Sequence, residues 1–173
     1  MGKYQMVIFV AVMMVCFAIG CQQKQPQGMT EEEARLLLDK YMEIMNEGNV
    51  DLVDEIFDPN CVLKYPVLPE PMVGVQTFKD FLPQNAVTFP DFHGMIEEVM
   101  VKGDIIWSRY TVTATQLGPL GELPPTGKTV QFTGMAITRL EDGKIVEDET
   151  FWNVLSFYQQ LGFTLMPPEV EME

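Results

Sequence analysis

Apolar positions recur at a period near 3.6 up to about residue 85 and at a period of two from Asp91 onward. The switch predicts helices first and strands afterwards. Thr30 followed by Glu31, Glu32 and Glu33 forms a capping box: the Thr hydroxyl accepts a helix-start amide and Glu33 reaches back. Ala34, Leu37, Leu38, Tyr41, Ile44 and Met45 follow at helical spacing until Gly48 stops the run. A second helix is expected over 50–57, ending at Asp58-Pro59. Residues 61–65 read as a short strand, 66–74 with three prolines as a loop, and 75–85 as a helix interrupted or bent at Pro83. Four alternating runs then span 92–101, 105–116, 129–140 and 144–153. Lys102-Gly103-Asp104 and Asp142-Gly143 are hairpin turns, and 117–128 is a loop rich in Gly and Pro. A short apolar segment, 154–161, closes the pattern. This order makes an α+β domain, with helices packed on one face of a curved sheet.

The start of the chain is of a different kind. Residues 6–19 (MVIFVAVMMVCFAI) carry no charge and no amide and follow Lys3 and the amino terminus. As a helix, these fourteen residues reach only about 21 Å, against about 30 Å of hydrocarbon. They read as the apolar part of a secretory signal rather than as a span. Ala18-Ile19-Gly20-Cys21 resembles the bacterial lipobox, in which the cysteine is acylated and becomes the new N-terminus. The expected organisation is a lipoprotein signal peptide at 1–20, a polar tether at 21–28, a domain over 29–165 and an acidic tail at 166–173. Gln22 after the lipid site favours the outer membrane if the host is Gram-negative. With Cys16 in the signal and Cys21 under lipid, Cys61 stands alone, so no internal disulfide is expected.

Charge narrows the partners. Eleven Lys and Arg against 25 Asp and Glu give a formal charge of −14. Nucleic acid demands clustered cations, so it is excluded as a partner. An anionic bilayer would repel the folded part, which leaves the lipid at Cys21 as the membrane link. One histidine and scattered acids lack metal-ligand spacing, so neither metal nor cofactor is expected.

Pro90-Asp91-Phe92-His93, Lys102-Gly103-Asp104, Arg109, Pro125-Thr126-Gly127-Lys128, Gly134, Arg139, Asp142-Gly143-Lys144-Ile145 and Gln159-Gln160-Leu161-Gly162 stand in an order and spacing that resemble the SnoaL-like polyketide cyclases, or ester cyclases. The resemblance covers about residues 30–163. It implies the cone shared with nuclear transport factor 2: helices on the concave face of a curved, mostly antiparallel sheet, around an apolar pocket. It also implies dimerisation through the open sheet face and a cofactor-free aldol cyclisation with an Asp as acid/base. That Asp follows the aromatics of the last strand, where this chain has Glu149-Thr150-Phe151-Trp152-Asn153. Asn153 occupies the acid/base position and does not titrate. The family's imidazoles align with Gln116 and Lys64. His93 belongs to a framework turn.

The expected site therefore comprises Lys64, Arg109, Gln116 and Trp152 as pocket residues, with Glu149 and Asn153 at the catalytic position. Arg109 reads either as an anion anchor or as a partner for one of the many acids. Glu149 shares strand parity with Phe151 and Asn153; facing inward, it would replace the missing acid/base. The primary reading is an anchored pocket protein for a small apolar or amphipathic molecule, with the aldol activity lost or weakened. The alternatives are a cyclase, isomerase or hydrolase that uses Glu149, and a dimeric interaction module.

Overall fold

The computed structural model describes residues 28–166. The predicted signal peptide, the lipidation site Cys21, nearly all of the tether and residues 167–173 of the acidic tail lie outside the described residues. Helix α1 (Glu31–Glu47) begins at the capping box, where Thr30 Oγ1 accepts the Glu33 amide at 3.2 Å and Glu33 Oε2 accepts the Thr30 amide at 2.8 Å. It buries Ala34, Leu38, Tyr41 and Ile44 along one stripe and stops at Gly48, whose φ of 70° suits a residue without Cβ.

The second helix is shorter than its pattern predicted. A 3₁₀ turn (Val50–Leu52) leads into α2 (Val53–Ile56), and strand β1 (Phe57–Lys64) already begins at Phe57. A register shift between Phe57 and Val62 lets the strand run through Asp58-Pro59. Inside the Pro-rich segment a two-residue strand, β2 (Met72–Val73), pairs with β1. Helix α3 (Val75–Thr88) continues past Pro83, although proline cannot donate to the Lys79 carbonyl. The strands that follow are β3 (His93–Lys102), β4 (Ile105–Thr115), β5 (Thr129–Glu141) and β6 (Lys144–Trp152), before helix α4 (Val154–Leu161).

The sheet order is β2-β1-β6-β5-β4-β3, antiparallel except for the β1–β6 pair. Asp142 and Gly143 both take positive φ, 49° and 79°, as the tight turn between β5 and β6 requires. Helix α1 packs against edge strand β3 and also covers its free backbone. The Asn46 amide pairs with both the N–H and the C=O of Gly94, and the Arg35 guanidinium donates to the carbonyls of Ile96 and Glu97, where the strand bulges. A covered edge cannot recruit another strand.

Several motif residues fasten this frame. Asp91 accepts the Thr115 amide and hydroxyl, both at 2.6 Å, and so ties the entry of β3 to the exit of β4. Gln160 bonds to both backbone groups of Gln131, which ties α4 to β5. His93 is exposed at the start of β3.

Which face of β6 looks inward is set by a bulge. Opposite Arg139 and Leu140 the register slips, because Leu140 pairs with Ile145 and Arg139 with Glu147. Val146 is the extra residue, so buried Ile145 is followed on the inner face by Asp148, Thr150 and Trp152 rather than by odd-numbered residues. Glu149 and Phe151 share a face, as their parity requires, but it is the outer one.

Candidate functional site

Between the helices and the concave face of the sheet lies a cavity of about 410 Å³, within the usual range for small-molecule sites. Leu38, Tyr41, Met42 and Met45 line it from α1, and Phe81, Asn85 and Phe89 from α3 and its end. The sheet contributes Ile96, Ser108, Tyr110, Val112, Ala114, Phe132 and Ala136, with Asp148, Thr150 and Trp152 from β6. Leu120 and Gly121 of the 117–128 loop, Leu68 and Pro69 of the Pro-rich segment, and Tyr158 of α4 complete the wall. Alternation on each strand places these side chains on one face, and most are aromatic or aliphatic.

Asp148 is the only carboxylate among the lining residues and is 1% exposed. Thr138 donates to its Oδ1 at 2.6 Å and Tyr41 to its Oδ2 at 3.4 Å, while the Tyr41 and Tyr65 hydroxyls are bonded to each other. Burial pushes the Asp148 carboxyl up to about 6, and Glu147 adds to the rise; the Thr138 and Tyr41 donors pull against it. Burial likewise pushes the phenols of Tyr41, Tyr65 and Tyr110 upward, and the neighbouring Asp148 carboxylate reinforces all three. They remain neutral hydrogen-bond donors at physiological pH.

Trp152 stacks on Phe132 at 5.2 Å, and its Nε1 has no hydrogen-bond partner among the described residues. The Tyr110 ring lies over Gly134, where a Cβ would overlap the phenol. Glycine at this register position (Tyr110 opposite Gly134 opposite Trp152) makes room for that ring.

Of the residues expected to form the site, Trp152 lines the cavity. Lys64 and Glu149 lie on the outer face, where Lys64 pairs with Glu147 and, at 3.5 Å, with Glu149. Glu149 therefore cannot supply acid/base chemistry to the cavity. Arg109 also faces outward, bonded to Glu97 at 2.7 Å and Glu98 at 3.0 Å. It is a partner for surface acids rather than an anion anchor. Gln116 is fully buried but serves the loop: its amide donates to the Gly118 and Pro124 carbonyls and accepts from the Thr126 amide and hydroxyl. Asn153 caps α4, its Oδ1 accepting the Ser156 amide at 2.9 Å, and is not among the lining residues.

The groups that the sequence pattern did not single out are Asp148, Tyr41, Tyr65 and Tyr110. Tyr41 stood in the helical stripe as a core residue. Its phenol, in an otherwise aliphatic row, was the available signal.

Comparison with known proteins agrees with this architecture. The family model of the SnoaL-like polyketide cyclases matches residues 35–161. TsrD from Streptomyces laurentii superposes with a TM-score of 0.68 at 22% identity, over 78% of this chain and 98% of that one. IdmH from Streptomyces antibioticus does so at 0.62 and 22%, over 73% and 96%. An LEH-like epoxide hydrolase of M. tuberculosis gives 0.61 at 15%, over 76% and 90%. At such identities these likenesses speak for the fold alone. A comparison with curated proteins finds no match. With the family model spanning most of the domain and the cone recovered independently, the chain belongs to the SnoaL-like polyketide cyclase family.

Proposed function

We propose that the protein is an envelope-anchored pocket protein that binds a small, mainly apolar molecule, with the family's aldol cyclisation lost at its usual position. One observation carries the reading: an aromatic-lined cavity of about 410 Å³ holds a single carboxylate, while the residue at the family's acid/base position is an asparagine committed to a helix cap. An amide takes up no proton at neutral pH, so the step that needs a base there is missing. The cavity still presents Asp148, Tyr110 and Trp152 as polar contacts.

The uncharged run 6–19 and Gly20-Cys21 support export and acylation at Cys21. Three acyl chains exceed the two signals that stable anchoring needs. The intact mass of the envelope-extracted protein is the check: a chain beginning at Cys21 with added acyl mass is expected, and an unmodified or uncleaved N-terminus would remove the anchor from the account.

Binding is tested by titrating the chain with N-phenyl-1-naphthylamine, a neutral apolar fluorophore. Saturable enhancement is expected in wild type and its loss in Ala136→Phe, which fills the cavity from the sheet side. Equal binding by both would place the ligand elsewhere.

The outer sheet face supports a homodimer. Met135 and Phe151 are paired across β5 and β6 and stand half exposed, with Met95 on β3 of the same face. Arg109, Arg139 and Lys64 flank them beside Glu97, Glu98, Glu147 and Glu149. A face that carries both signs around an apolar centre is self-complementary under a twofold.

A further inference from the structure

We propose that the cavity selects lipophilic amines, with the protonated nitrogen paired to Asp148 and the apolar body filling the cone. The inference rests on the cavity being a small-molecule site and names the chemistry of what enters it.

The cavity carries charge of one sign only. Asp148 is its single carboxylate, and no Lys, Arg or His stands among the lining residues. A buried charge is ordinarily matched by an opposite one. Asp148 is 1% exposed, yet among the described residues its side-chain partners are the neutral hydroxyls of Thr138 and Tyr41. Lys64, on the adjacent strand, is held on the outer face by Glu147 and Glu149. Thr138 occupies Oδ1 at 2.6 Å, whereas Tyr41 reaches Oδ2 only at 3.4 Å. A carboxylate has about four acceptor positions, so Oδ2 keeps room for an N–H donor. Burial holds the carboxyl up at about 6, which leaves it ionised at neutral pH and still without a counter-charge.

The walls suit the rest of such a ligand. Tyr41, Tyr65, Tyr110, Phe132 and Trp152 line the cavity among aliphatic side chains. Aromatic faces attract an ammonium, and aliphatic ones accept its hydrocarbon body. The entrance has the same sign as the interior. Pro69 and Gly121 are the exposed lining residues and mark the opening; Glu70 and Glu122, both exposed, follow them directly in the chain. Acids at the rim draw a cation toward the mouth and repel an anion. A ligand carboxylate would add a second negative charge inside and leave both uncompensated.

The test uses the full chain carrying Cys21→Ser, loaded with N-phenyl-1-naphthylamine. Three competitors share one skeleton and differ in charge: 2-naphthylmethylamine, 2-naphthylmethanol and 2-naphthoate. The titration is run at about pH 7.5, where the amine is protonated and a carboxyl raised to about 6 is ionised. The amine is expected to displace the fluorophore at a concentration about 10-fold or more below the alcohol, as a charge-assisted hydrogen bond allows. Naphthoate should be the weakest of the three. Asp148→Asn should abolish the preference for amine over alcohol, a ratio read within each variant. Glu149→Gln removes the same charge from the outer face of the same strand and should keep it. In wild type, NOEs from the methylene beside the nitrogen to the Tyr41 ring are expected, and they stand independently of how either variant folds. Equal displacement by amine and alcohol would overturn the inference, as would a preference that survives Asp148→Asn or falls equally in Glu149→Gln. Methylene NOEs confined to Leu155 and Leu165 would overturn it too. Each of these results leaves the pocket reading standing if the fluorophore binds in the cone. Failure of the fluorophore itself to bind would remove both.

Discussion

Gly134 lies directly beneath the ring of Tyr110, and any Cβ at this position would overlap the phenol. The small residue on β5 thus sets where the hydroxyl of a residue on β4 enters the cavity. Gly134→Ala is expected to push the ring off its rotamer, at a cost of about 1–3 kcal/mol, and to weaken N-phenyl-1-naphthylamine binding. Chemical denaturation with a parallel titration measures both. An alanine variant as stable as wild type with unchanged binding would show that the ring has another place to go.

Asp148 makes stability depend on pH in an unusual direction. The folded carboxyl holds its proton up to about 6, against the ordinary 3.8. Between these values the folded Asp148 carboxyl binds more protons than the unfolded one, so its contribution to stability is greatest below about 4 and is lost as pH rises through 6. The loss is on the order of 3 kcal/mol by pH 7. Asp148→Asn should therefore gain on wild type by about 5–10 °C in Tm between pH 4 and pH 8. A difference that does not vary with pH would mean that the carboxyl is not desolvated.

Gln116 holds the 117–128 loop against the domain through four hydrogen bonds. Gln116→Leu leaves the carbonyls of Gly118 and Pro124 and the Thr126 amide without these partners, at about 1–3 kcal/mol each where they stay buried. The expected result is local: faster hydrogen exchange at Thr126 and easier proteolysis within the loop, with the β4–β5 ladder still protected. Uniform loss of protection across the sheet would assign Gln116 to the global core instead.

The proposed dimer predicts that Met135→Glu shifts the protein to monomer in analytical ultracentrifugation without changing its far-UV circular dichroism. A wild type that sediments as a monomer at every concentration would remove the outer face from the account.

Much of the frame was legible because its signals are local. The capping box at Thr30, the stop at Gly48, the Asp142-Gly143 turn and the alternation along β3 to β5 need only near neighbours. Helix α3 outran its pattern because packing of Phe78 and Leu82 outweighs the lost bond at Pro83. The site was harder to read, and one residue explains most of that. The bulge at Val146 moves the inner face of β6 from odd to even positions. A strict period of two therefore selects Glu149, and the structure presents Asp148. Arg109 and Lys64 misled for a related reason: a lone cation in a strand reads the same whichever face it occupies, and only the partners across the sheet decide.

The central claim, that a small apolar molecule sits inside the cone against Asp148 and Trp152, is tested most directly by intermolecular NOEs between bound N-phenyl-1-naphthylamine and the protein's methyl groups. Outside the cone, the described residues offer a second apolar site, a surface groove at Leu155, Phe163 and Leu165. The account predicts contacts to Met42, Val112, Ala114 and Ala136, all of which line the cavity. Contacts confined to Leu155 and Leu165 would contradict it.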